Sequence, residues 1–320
     1  MKHFIMLLLL TAVTAVHSQT KKDTIRLADP TIFYEDHIYY LYGTGSPNGF
    51  AVYTSTDLKN WQRHNQNALL KGNSYGTKGF WAPQVFKYQS KYYMAYTADE
   101  HIAIAGSDSP LGPFSQSVHQ AISGQGKQID PFIFKDADGK LYLYHVRLGN
   151  GNRIFVARLK DDLSDIDETT ATECIHAEQG WENTANAPWP VSEGPTVTKI
   201  GDLYYLFYSA NDFRNIDYAV GYATAPTPIG PWTKYPGNPI LSRKNSGQNG
   251  SGHGDLFSAG DGTLYYVFHT HHSNNVVGMR KTAIIALNVS RQHPAVISVV
   301  PGTFRYLERK KPLADTTKNE

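Results

Sequence analysis

The chain has 320 residues, a formal net charge of +2 and 18% charged residues, which excludes the dense basic surface that a nucleic-acid partner demands. Its length allows one domain of repeated units with a core large enough to need no metal or disulfide staple. Twenty-one tyrosines suit β-strands and the stacking of sugar rings alike.

The first predicted element is a targeting segment. Lys2 and His3 precede an unbroken apolar run at 4–10, and small residues follow at 11–18. This pattern predicts a signal peptide over residues 1–18 and a secreted or periplasmic protein. The apolar run is short for a spanning helix, and no later segment is predicted to span a membrane. No cysteine follows the run, so a lipid anchor is not supported. The single Cys174 allows no internal disulfide and is read as structural.

Five similar units follow, at intervals of roughly fifty to sixty-five residues. Each contains an aromatic strand: Ile-Tyr-Tyr-Leu-Tyr at 38–42, Tyr-Tyr-Met-Ala-Tyr at 92–96, Leu-Tyr-Leu-Tyr-His at 141–145, Leu-Tyr-Tyr-Leu-Phe-Tyr at 203–208 and Leu-Tyr-Tyr-Val-Phe at 264–268. A second apolar strand and then a polar turn ending in an aromatic residue follow in most units, as in Ser55 to Trp61, Ser107 to Phe114 and Ala225 to Trp232. Before each aromatic strand stands a Pro or Gly element: Asp29-Pro30, Ala82-Pro83, Asp130-Pro131, Glu193-Gly194-Pro195 and His253-Gly254-Asp255. Units of this length and strand content predict an all-β fold, a five-bladed β-propeller in a single domain over 19–307. The charged stretch 308–320 reads as a solvated tail.

In a propeller the innermost strand of every blade lines the axis, so equivalent positions converge on one pocket. The repeat places Asp29, Asp130, Glu193 and His253 at that address. An isolated Asp before Pro often caps a turn, but three acids in register point to a site. Glycoside cleavage needs one protonated carboxyl at the leaving oxygen and one ionised carboxylate on the opposite face. Clustered acids supply both, because mutual repulsion raises one pKa. Trp81 is a candidate for stacking on the sugar. His269, His271 and His272 lack a clear carboxylate partner and read as polar lining or surface rather than a zinc site.

The ordered motifs Leu-Ala-Asp-Pro at 27–30, Phe-Trp-Ala-Pro at 80–83, Ile-Asp-Pro-Phe at 129–132, Ser-Glu-Gly-Pro at 192–195 and Gly-His-Gly-Asp at 252–255 resemble those of glycoside hydrolase family 43. The resemblance covers nearly the whole chain after the leader. It implies inversion, with Asp29 as general base, Glu193 as general acid and Asp130 raising the pKa of Glu193 and orienting it. It implies that Arg280 reaches sugar hydroxyls, and that His253 holds or supports a structural calcium or other ion in the channel. No organic cofactor is expected. The implied partner is an oligo- or polysaccharide, and a monomer is expected. The preferred activity is an α-L-arabinofuranosidase, because many family xylosidases carry a further β-sandwich after the fifth blade. A β-xylosidase or an endo-arabinanase are the alternatives within the family. A non-catalytic carbohydrate-binding propeller is the rival of another class; it would not need all three acids.

Overall fold

The computed structural model describes residues 22–310, so the leader at 1–18 and residues 311–320 lie outside the described residues. Five antiparallel sheets are built in chain order, each starting from an inner strand: Ala28–Glu35, Trp81–Tyr88, Gln128–Lys135, Ser192–Ile200 and Gly252–Ser258. These inner strands neighbour one another around a ring. The expected all-β, five-bladed propeller is therefore present. The second sheet has three strands, and its outer edge is reduced to a bridge between Gly106 and Ser115.

The aromatic runs occupy the second strand of each blade, and their continuity has a packing cause. Tyr40 and Tyr42 enter one core cluster while Tyr39 and Leu41 enter another. Tyr205 and Phe207 likewise face one interface, with Leu206 and Tyr208 on the opposite one. A strand buried on both faces between blades reads as a continuous apolar run rather than an alternating one. The turns with Pro-Leu-Gly-Pro and Pro-Ile-Gly-Pro latch blades together. The Tyr42 hydroxyl donates to the Pro110 carbonyl, and Tyr144 donates to the Pro228 carbonyl.

The ring closes through the two ends of the described chain. Lys22–Thr24 pairs antiparallel with Glu308–Lys310, and Trp61 of the first blade bridges Arg309. This corrects the expected tail boundary at 308: three of its residues are a strand, because pairing across the first blade's edge satisfies their backbone groups.

One irregularity positions the site. Every inner strand carries a bulge near its start. In the first four blades a proline (Pro30, Pro83, Pro131, Pro195) brings no N–H to the ladder. In the fifth blade Gly254 stands there, with no room for a Cβ against the Val267 carbonyl. The preceding residue is left-handed in all five blades: Asp29 (φ 47°), Ala82 (45°), Asp130 (56°), Gly194 (60°) and His253 (44°). Four of these are not glycine, a strained choice that a fold keeps where it aims side chains.

Candidate active site

The five left-handed residues define the true equivalence. Asp29, Asp130 and His253 share it with Ala82 and Gly194. Glu193 stands one position earlier, opposite Ser209, in register with Ala28, Trp81, Ile129 and Gly252. The expectation that Glu193 shares the address of the two aspartates is therefore corrected by one residue. The bulge still delivers it to the same cavity, of about 450 Å3, which is lined by Asp29, Asp130, Glu193, His253, Trp81 and Arg280 among others. All six sequence-predicted site residues thus meet there. Below them the channel narrows to a void of about 30 Å3.

Asp29 sits among positive and polar groups. Its Oδ1 lies 3.4 Å from Nδ1 of His253 and 3.5 Å from the Arg280 guanidinium. The Thr44 hydroxyl donates to its Oδ2 at 2.7 Å. Burial opposes ionisation of Asp29, yet His253 and Arg280 outweigh it and hold the carboxyl well below the usual range. The Arg280 guanidinium is itself stacked 4.5 Å over the Phe213 ring. The backbone N–H of Asp29 donates to Nδ1 of His269 at 3.1 Å, which places that ring's proton on Nε2. Burial depresses the His269 pKa to about 3, so the ring stays neutral. His269 is polar lining, and Nε2 of His271 meets the Phe213 carbonyl at 2.8 Å.

Glu193 has the opposite environment. The Tyr218 hydroxyl donates to Oε1 at 2.8 Å, and the Asn152 amide donates to Oε2 at 2.9 Å. The half-exposed Trp189 holds Asn152 in turn, its indole N–H donating to Oδ1 at 2.9 Å. Burial, reinforced by the Asp130 charge, raises the Glu193 pKa to about 7. Burial also raises Asp130, opposed by His253 and reinforced by Asp29. Asp130 Oδ2 accepts the Gly194 N–H at 3.2 Å and lies 3.9 Å from Nδ1 of His253. Burial works against a charged His253, but Asp29, Asp130 and Glu193 outweigh it and raise its pKa. A Cβ on Gly194 would stand 2.7 Å from the His253 ring, so only glycine fits beneath it.

The cavity therefore holds one carboxylate kept ionised and one carboxyl that retains its proton up to about pH 7. Two environments that push acids apart are what a general base and a general acid require. Trp81 and Trp189, 39% and 48% exposed, offer apolar faces at the rim.

The model of the family described as "Glycosyl hydrolases family 43" matches residues 24–292. The chain belongs to glycoside hydrolase family 43. A crystal structure of an endo-1,4-β-xylanase from Bacteroides thetaiotaomicron is 42% identical with a TM-score of 0.86, covering 92% of this chain and 100% of that one. A thermostable family 43 glycoside hydrolase is 36% identical with a TM-score of 0.80, over 90% and 95% of the two chains. A β-D-galactofuranosidase of Aspergillus niger is 24% identical over 271 residues, 78% of this chain and 75% of the relative. The protein is thus an inverting glycoside hydrolase, and family 43 enzymes use no organic cofactor.

The residues around His253 do not fit the calcium expected in the channel of this family 43 chain. Calcium takes about six to eight oxygen ligands. Nδ1 of His253 instead faces the carboxylates of Asp29 and Asp130, and Arg280 pairs with the first of them. Among the described residues no three His, Cys, Asp or Glu side chains are grouped to hold a metal ion.

Sequence reasoning missed Thr44, Asn152, Trp189 and Tyr218. Tyr218 and Trp189 lie in loops outside the repeat. Thr44 could have been found, since it ends the aromatic strand where Thr97 and Ser209 end theirs.

Proposed function

We propose that this family 43 enzyme is an exo-acting α-L-arabinofuranosidase, exported to act on plant polysaccharide side chains. Asp29 is its general base, Glu193 its general acid and Asp130 the group that keeps Glu193 protonated. The observation that carries the reading is the opposed ionisation of Asp29 and Glu193 in one cavity. Glu193 passes its proton to the glycosidic oxygen as the C–O bond breaks. Asp29 takes a proton from water as that water attacks the opposite face of the anomeric carbon. The carboxylate left on Glu193 is met by the donors already aimed at it, Tyr218 and Asn152.

Three further points support the sugar and the exo mode. The cavity is the size of a small-molecule pocket. The loops at 211–218 and 271–280 wall one side, whereas the corresponding turns at 45–48, 99–100 and 149–151 are short. The relative from A. niger is described as acting on β-D-galactofuranosides. That ring shares the configuration of α-L-arabinofuranose and differs by one further hydroxymethyl carbon.

A β-xylosidase is the second reading, favoured by the likeness to the B. thetaiotaomicron protein described as a xylanase. Rates on the 4-nitrophenyl α-L-arabinofuranoside and β-D-xyloside, with arabino- and xylo-oligosaccharides beside them, decide between the two. The proposal expects kcat/KM on the arabinofuranoside to exceed that on the xyloside by about ten-fold or more, the scale on which pockets separate related groups. A reversed ratio would establish the second reading, and no hydrolysis of any of the four would remove both.

Tyr218→Phe tests the pocket electrostatics. A donor to the charged form lowers a carboxyl pKa, so its loss raises that of Glu193. The basic limb of kcat/KM should then move to higher pH. A limb that stays in place would mean that Tyr218 does not act on the proton-donating group.

A further inference from the structure

The left-handed residue at the head of each inner strand turns its backbone N–H towards the preceding blade. There it meets the side chain at the end of that blade's second strand, opposite the bulge. Ala82 donates to the Thr44 hydroxyl at 2.9 Å, Asp130 to the Thr97 hydroxyl at 2.9 Å, His253 to the Ser209 hydroxyl at 2.7 Å and Asp29 to the His269 ring at 3.1 Å. Four of five blades thus supply an acceptor at one equivalent position.

The third blade does not. Its residue there is Val146, fully buried and paired with Ile129 as Thr44 is paired with Ala28. A buried N–H left without a partner is costly, and the Gly194 N–H finds one in Asp130 Oδ2 at 3.2 Å. The first blade shows what a hydroxyl would do instead. Thr44 accepts the Ala82 N–H and donates its own hydrogen to Asp29 Oδ2 at 2.7 Å. A hydroxyl there stands between the neighbouring backbone and the carboxylate.

We propose that Val146 is a positioning residue: by offering no acceptor it brings Asp130 into direct contact with the strand that carries Glu193. The same fold position thereby separates the two aspartates. Asp29 is linked to the second blade through a hydroxyl, whereas Asp130 is bound to the residue next to Glu193. This inference rests on the reading of Asp130 as the group that keeps Glu193 protonated. The charged and titratable groups facing Asp130 are Asp29 from the first blade, Glu193 from the fourth, and His253 and Arg280 from the fifth. None of them accepts the Gly194 N–H.

Val146→Thr keeps the side-chain volume and restores the acceptor. The hydroxyl should take the Gly194 N–H and set Asp130 back from Glu193, so that repulsion between the two acids weakens. The basic limb of the pH profile should then move to lower pH, and kcat/KM at neutral pH should fall about ten-fold, the scale of one charge-assisted hydrogen bond. Val146→Ser offers the same acceptor in less volume and should repeat the shift. Val146→Ala leaves a cavity and no acceptor, so it should lower thermal stability and leave the limb where it was. A merely structural role for Val146 would leave the limb in one place in all three variants, with stability the only property that changes.

An unmoved limb in both hydroxyl-bearing variants overturns the inference. With Glu193→Gln still inactive on natural linkages, that result leaves the acid–base assignment intact. Activity on natural linkages retained by Glu193→Gln removes the assignment and the inference with it.

Discussion

Glu193→Gln is expected to lower kcat on arabinofuranosyl oligosaccharides by about a thousand-fold, within the range that general acid–base catalysis supplies. The amide keeps the shape of the side chain but has no proton to give to the leaving oxygen. Its environment explains why the loss is so large. Glu193 is buried, and the Asp130 charge adds to burial in raising its pKa to about 7. The wild-type group therefore still holds its proton as pH approaches 7, where an ordinary carboxyl is fully ionised, and can pass it on as the bond breaks. The effect must depend on the leaving group. On a 4-nitrophenyl glycoside, whose phenolate departs without help, the loss should be far smaller. Folding should be intact, checked by an unchanged thermal midpoint or a higher one, because the substitution removes an ionisable group from a buried site. Equal losses on both substrates would show that Glu193 does something other than protonate the leaving oxygen.

Asp29→Asn is expected to show the complementary pattern. The amide cannot take a proton from the attacking water, so kcat should fall by about a thousand-fold on the oligosaccharide and on the 4-nitrophenyl glycoside alike. The water attacks in both cases, whatever the leaving group. The sign of the pH dependence follows from the same environment. His253 and Arg280 overcome the effect of burial and hold Asp29 ionised. The acidic limb of kcat/KM should therefore lie below the range of an ordinary carboxylate. Rates measured on both substrates for this variant test the point, and a loss confined to the oligosaccharide would exchange the proposed roles of the two acids.

Much of this was readable in the chain. The five aromatic runs announce the second strands because each is buried on both faces, and their spacing gives the blade count. The acids at 29, 130 and 193 and the residues Trp81, His253 and Arg280 all reach one cavity. What misled was the alignment of Glu193 with the two aspartates. Aligning the units on Pro30, Pro83, Pro131 and Pro195 places Gly194 with Asp29 and Asp130, and leaves Glu193 one step earlier. The proline marks the bulge, and the bulge sets which side chain points where. Other parts of the site carry no repeat signal. Tyr218 and Trp189 sit in connections that differ from blade to blade, so only the folded chain brings them to Glu193. The strand at Glu308–Lys310 was hidden for a related reason. It has no apolar pattern of its own, and its partner at Lys22–Thr24 lies at the other end of the described chain.

The pH dependence of kcat/KM on an arabinofuranosyl oligosaccharide, whose leaving oxygen must be protonated, compared between the wild type and Glu193→Gln, bears most directly on the acid–base assignment. The wild type should lose activity as pH rises through about 7, where Glu193 gives up its proton. The residual rate of the variant, about a thousand-fold lower, should lack that limb. A limb near the same pH in the variant would contradict the account, because the titrating group would then be some residue other than Glu193.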